Sequence, residues 1–169
     1  MFELFIYEKD VDKIKDKLRV NFIDNNLLRI FNSFLYYSAK YLLVHDDSKF
    51  KEYIPIIVVK HDEDGKILAI SELMYNTDKN ITEIYNVCVL PSERKKNHCT
   101  HLIHFISDII QPKLQCDLWI AVSYINPMYD IVVEIYKNLG FTDLIQTNIE
   151  TPSNIFYSNG FLELYKFEK

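Results

Sequence analysis

The sequence predicts an α/β domain, with one mixed central sheet of about seven strands and helices on both of its faces. Three observations lead there. The chain has 169 residues, a length that one hydrophobic core can serve, so a single domain over 1–169 is expected. Apolar residues make up 49% and aromatic residues 14%, too many for a chain that stays disordered. Strand-like segments come first as hairpins and later alternate with helical periodicities, the order of a mixed sheet.

The elements follow in turn. "FELFIYE" alternates and is rich in aromatic and β-branched residues, which predicts a first strand. "VDKIKDKLRV" (11–20) is short and amphipathic, and 25–44 has apolar residues at helical spacing, which predicts one or two helices. "YIPIIVVK" and "ILAISELMY" are strands joined through Asp64-Gly65, a hairpin signal. "ITEIYNVCVL" is a strand stopped by Pro91, and a helix is expected from near Asn97 to just before Pro112. "DLWIAVSY" is a strand, and "MYDIVVEIYKNLG" is a helix closed by Gly140. "FTDLIQTNIE" and "FLELYKF" read as the last two strands.

Composition narrows the function classes. No apolar run approaches the ~20 residues of a membrane span, and "MFELFIYEKD" lacks the features of a signal peptide. A soluble, cytoplasmic protein without a membrane partner is expected. Cys88, Cys99 and Cys116 have no zinc-ligand spacing and read as free thiols. A net charge of −5 argues against a nucleic-acid partner and suits a cationic substrate.

The chemistry concentrates in two stretches. In the first, 83–110, a strand breaks at Pro91, crosses a basic loop and opens a helix. Unpaired N–H groups at a helix start, with the helix dipole, form an anion site, and Arg94, Lys95 and Lys96 add cations just before it. Local pattern alone also fits a solvated basic loop that caps the helix. The second stretch, "LWIAVSYINPMYDIVVEIYKNLGF", is a strand, an Asn-Pro break and a helix ending in Tyr-x-x-x-Gly-Phe.

Together the two stretches resemble the GNAT family of acetyl-coenzyme A-dependent N-acetyltransferases. The family's first motif, Val-x-Pro then Arg/Gln-x-x-Gly-x-Gly/Ala, reads here Val89-Leu90-Pro91 and Arg94-Lys95-Lys96-Asn97-His98-Cys99. Its second, an Asn followed by Tyr-x-x-x-Gly-Phe, reads Asn126 and Tyr136-Lys137-Asn138-Leu139-Gly140-Phe141. Asn97 and Cys99 stand at the two motif glycines; Asn tolerates left-handed backbone, while the Cys99 side chain could crowd a pyrophosphate. The gap from Asn126 to Tyr136 is longer than usual, so either Asn126 is not the family's Asn or the loop bulges.

The resemblance implies a GNAT-like acyl-CoA N-acyltransferase fold, with acetyl-coenzyme A as co-substrate and an amine acceptor, a small molecule or a protein. It implies that Val87, Cys88 and Val89 line the pantetheine arm, with Val87 N–H polarising the thioester carbonyl. It implies that the amides of Arg94, Lys95, Lys96, Asn97, His98, Cys99 and Thr100 hold the pyrophosphate, with Asn126 adding a contact. Glu83 is the candidate base and Glu72 the runner-up; Tyr136 is the candidate acid for the departing thiolate. The other readings are an exposed edge carboxylate for Glu83, a core side chain for Tyr136 and a small buried strand residue for Cys88. Amine attack is direct, so Cys88 need not be a nucleophile. A homodimer through the last two strands is a further implication.

Two further readings stay beside this one. A non-catalytic binding or regulatory module with the same fold is the alternative that the replaced glycines motivate. His98, His101 and His104 repeat every third residue, but at about 100° per residue they fan out around a helix, so no metal is expected. Leu102, Ile106, Ile109 and Ile110 form that helix's expected apolar face. Tyr36, Tyr37 and Tyr41 could border an acceptor pocket.

Overall fold

The computed structural model describes residues 1–6, 53–124, 126–145 and 162–168. The helices expected within 11–44, the tyrosines at 36, 37 and 41, and residues 146–150 of the expected strand "FTDLIQTNIE" lie outside the described residues.

The strands β1 (Phe2–Ile6), β2 (Tyr53–His61), β3 (Ile67–Asn76), β4 (Ile81–Val89), β5 (Asp117–Ser123), β6 (Phe141–Ile145) and β7 (Leu162–Phe167) form one sheet in the order β1-β2-β3-β4-β5-β7-β6. Every neighbouring pair is antiparallel except β4 and β5, which are parallel. A parallel pair needs a long crossover, and a helical segment supplies it. It runs as α1 (His98–Phe105), a π-helical turn (Ile106–Ile110) and α2 (Gln111–Leu114). A further helix, α3 (Tyr129–Asn138), leads from β5 to β6.

The helix after Asn97 therefore runs through Pro112 rather than ending before it. Proline lacks an N–H and its ring crowds the carbonyl one turn back. The π turn widens the backbone just ahead of Pro112, with Gln111 N–H donating to Ile106 five residues earlier. The wider turn also slows the rotation around the axis. Ser107 is thereby brought inward and Ile109 is left exposed, so Ile109 is not part of the apolar face that a regular helix would give it.

Leu102, Ile103, Ile106 and Ile110 pack with Ile56, Val58, Ala69, Leu73, Ile84, Leu118, Ile120 and Val122 from the sheet, and with Val133 of α3 and Phe141. The two helical connections thus cover the same sheet face. Side chains of β2 and β3 are buried almost without interruption, the pattern of strands covered on both faces. Each fully buried Leu or Ile in this core contributes roughly 1.5–3 kcal/mol.

Gly140 closes α3 with φ +99°, where a side chain is strained. A Cβ there would stand 2.7 Å from the Phe167 ring of β7. Gly140→Ala is expected to destabilise by about 1–3 kcal/mol, read as a lower urea midpoint, whereas Gly65→Ala, with open space around its Cβ site, carries only the backbone cost.

Candidate active site

Strand β4 pairs with β3 along its whole length, but not regularly. Glu72 faces Asn86 and Leu73 faces Ile84, so Tyr85 is an extra residue, a β-bulge in β4. The ladder to β5 covers Ile81–Ile84 against Asp117–Ile120 and ends at that bulge. Beyond it Tyr85–Val89 and Ala121–Ser123 are not paired with each other. A bulge bends and twists its strand, so the only parallel pair in the described sheet opens into a cleft at its C-terminal end.

The basic loop sits at the head of that cleft. Pro91–Glu93 form a short 3₁₀ turn, and Lys95 and Asn97 both adopt left-handed backbone, at φ 63° and 61°. Asn97 is the N-cap of α1 and makes no side-chain capping bond. Its carbonyl accepts the N–H of His101, which leaves the amides of the first turn, His98 to Thr100, pointing out of the helix start. Asparagine thus occupies the left-handed position where the motif has glycine. The Cys99 side chain packs half-buried against the core, and burial pushes its thiol up to about 11.

The loop's cations are not all available. Glu93 takes Lys96 at 2.8 Å and Lys66, from the β2–β3 turn, at 3.1 Å. Those two bonds hold its carboxyl down at about 2. Of the three cations expected at the helix start, Lys96 is engaged locally, while Arg94 and Lys95 are exposed. The histidines separate as well. His98 approaches Glu93, His101 Nδ1 lies 2.6 Å from the buried Lys60 ammonium, and His104 faces solvent. Burial and then Lys60 lower the His98 pKa. Among the described residues no group of three or more His, Cys, Asp or Glu converges as metal ligands.

Strand alternation sorts the candidate catalytic side chains by face. Leu73 and Ile84 belong to the core under α1, so their neighbours Glu72 and Glu83 stand on the opposite face. Both are buried, at 0% and 1% exposure, so Glu83 is not an exposed edge carboxylate. Glu72 Oε2 accepts the Asn86 amide at 2.6 Å, yet burial dominates and raises its carboxyl to about 8. Tyr136 lies on the core side, half-buried against the cluster and edge-on to Phe141. Burial first, and the nearby Cys99 second, raise its phenol above the usual range. Val87 and Val89 pack on the same side, and Cys88 is half-buried.

Asn126 begins α3. Its Oδ1 accepts the Met128 N–H at 2.9 Å and its carbonyl accepts the Tyr129 N–H, so its side-chain oxygen serves a turn. Sequence reading missed Glu93 as the partner of the loop cations. It also missed Glu163 on β7, whose carboxylate accepts hydroxyl groups from Tyr124, Tyr129 and Tyr165. Glu93 and Lys96, three residues apart, did offer a local signal, whereas Lys66 of Glu93 and Tyr124 and Tyr129 of Glu163 lie too far along the chain to leave one.

Glu72 gives a stability test. Its folded pKa lies above the ordinary 4.5, so its contribution is fully present below about pH 4.5 and is lost as pH rises through about 8. Glu72→Gln is expected to remove that loss. Its stability relative to the parent should rise by a few kcal/mol at most between pH 5 and pH 8, measured by urea denaturation.

No family model matches the sequence, and no curated protein matches it. Solved structures do. Tetrahymena GCN5 superposes with TM-score 0.57 at 13% identity, over 99% of this chain and 96% of that one. A Klebsiella pneumoniae protein provisionally described as an acyl-CoA N-acyltransferase gives 0.54 at 9% identity, over 99% and 97%. The spermidine/spermine N-acetyltransferase SpeG of Vibrio cholerae gives 0.51 at 16%, over 99% and 93%. A nourseothricin acetyltransferase is matched more loosely, over 64% of its own length. With a seven-stranded mixed sheet, one parallel pair that parts beyond a bulge, and a helix opening at the mouth of that cleft, the chain has the acyl-CoA N-acyltransferase fold of the GNAT family.

Proposed function

We propose that this chain is an N-acetyltransferase that transfers an acetyl group from acetyl-coenzyme A to a primary amine by direct attack in a ternary complex. One observation carries the reading: β4 and β5 diverge directly below the uncapped N-terminus of α1. The cleft offers strand edges to an extended amide-bearing arm, and the helix start offers backbone donors and a dipole to a diphosphate.

Acetyl-coenzyme A, when bound, supplies the acetyl group on a thioester. The chain's own residues do the rest. The amides of His98, Cys99 and Thr100 hold the phosphates, with Arg94 and Lys95 adjacent. The backbone of Val87 and Val89 aligns the arm, and Val87 N–H donates to the carbonyl oxygen where charge develops. A buried carboxylate removes the ammonium proton, which a free alkyl amine otherwise holds to a pKa of about 10. Glu83 is the leading candidate for this base and Glu72 the second. Tyr136, kept protonated by its raised pKa, gives its proton to the thiolate. Base and acid stand on opposite sheet faces, so the amine approaches from one side and the thiolate leaves toward the other.

The second reading is a non-catalytic binding module of the same fold. It is favoured by Glu93, which draws Lys96 and Lys66 to itself beside the helix start. Calorimetry and turnover separate the cases. Acetyl-coenzyme A is expected to bind, and no heat at millimolar ligand would reject both its use and the catalytic reading. Tyr136→Phe is expected to bind it as before while lowering kcat by about 10²–10⁴ on an amine panel. Glu83→Gln is expected to lose a similar factor. If Glu72→Gln instead removes the acidic limb of the rate profile, the rise in rate as pH passes about 8, Glu72 is the base.

A further inference from the structure

Trp119 is the single tryptophan of the chain and lies on β5 at 5% exposure. Among the described residues its indole N–H has no hydrogen-bond partner. An indole N–H buried without an acceptor is unusual, because the group loses its water and gains nothing in return. Its position makes the observation informative. Trp119 pairs with Glu83 across the last paired stretch of β4 and β5, on the sheet face opposite the α1 core. Met74 of β3 faces Glu83 in register, and Glu72 stands two residues earlier on the same face, its Oε1 also buried without a partner among the described residues. Ile57, Ile70 and Met74, all buried, belong to the same face. Neighbouring strands lie about 4.8 Å apart, so Trp119 and Glu83, with Glu72 on the diagonal, form a stepped polar row of side chains across three strands in apolar surroundings. The row borders the point where the cleft opens.

Among the described residues, the charged side chain on the β7 side of Trp119 is accounted for. Lys166 of β7 faces it in register and holds Asp117 at 2.8 Å. A group that completes the row must therefore bring an acceptor atom for the indole.

Resting on the acetyltransferase reading, we infer that Trp119 sets acceptor specificity. Its Nε1–H donates to an oxygen that the substrate carries beside the amine being acetylated. The favoured substrates are amines with a neighbouring hydroxyl or carbonyl, not all-methylene amines. A site built to hydrogen-bond a substrate group discriminates strongly against the analogue that lacks it, since the buried donor is then left unpaired.

The test uses two nearly isosteric pairs, ethanolamine against propylamine and glycinamide against isobutylamine, with acetyl-coenzyme A and the full chain. The readout is the kcat/KM ratio within each pair. Its change in Trp119→Phe separates the hydrogen bond from intrinsic amine basicity. The ratio is expected to fall at least tenfold in Trp119→Phe; an unchanged ratio overturns the inference. The indole N–H resonance, a single peak because the tryptophan is unique, reports on the unmodified protein. With coenzyme A present it is expected to move downfield with glycinamide and to stay with isobutylamine. No movement with glycinamide, or the same movement with acetyl-coenzyme A alone, overturns the inference. If no amine is turned over, the acetyltransferase reading fails, and the resonance still decides whether Trp119 reads an oxygen-bearing amine.

Discussion

Backbone pairing around β4 is the constraint on which the rest depends. The strand satisfies β3 from end to end, but β5 only as far as Ile84, because Tyr85 is inserted at the bulge. A regular β4 would continue its ladder along β5 and close the cleft. The bulge instead ends the parallel pair halfway. It gives the fold a slot with strand edges on both walls and a helix start at its mouth. Glu72, Asn86 and the last paired residues of β4 gather beside it.

The sheet then separates chemistry by side-chain parity. Leu73 and Ile84 turn into the core under α1 and α3, so Glu72 and Glu83 must turn away from it. That single alternation puts the carboxylates on one face and Tyr136 on the other. Burial works in the same direction on both, raising the Glu72 carboxyl to about 8 and the Tyr136 phenol upward. A carboxyl so placed titrates near the pH at which an amine begins to lose its proton, and the phenol remains a donor throughout. Loop electrostatics pull the other way. Glu93 pairs with Lys96 and Lys66, so the helix start relies on backbone donors more than its sequence of cations suggests.

Much of the fold was legible in the sequence because its signals are local. The apolar runs "YIPIIVVK" and "ILAISELMY", the Asp64-Gly65 turn and the Gly140 stop each act within a few residues, and each appears where expected. Asn97 in left-handed backbone is legible for the same reason, since few other side chains tolerate it. The π turn is different. It depends on how the helix seats itself between the sheet and Pro112, and no short window of sequence shows it.

The sequence by itself determined the order of the described elements, the position of the break at Pro91 and the residue types at the helix start. Those follow from backbone preferences and hydrophobic period, which each residue carries wherever the chain goes. Only the tertiary structure decided that β4 bulges at Tyr85, that Glu83 is buried rather than exposed at an edge, that Lys66 reaches Glu93, and that the Trp119 N–H has no acceptor among the described residues. The physical reason is that burial and ion pairing are set by neighbours tens of residues away, and a side chain's pKa and partners follow from those neighbours.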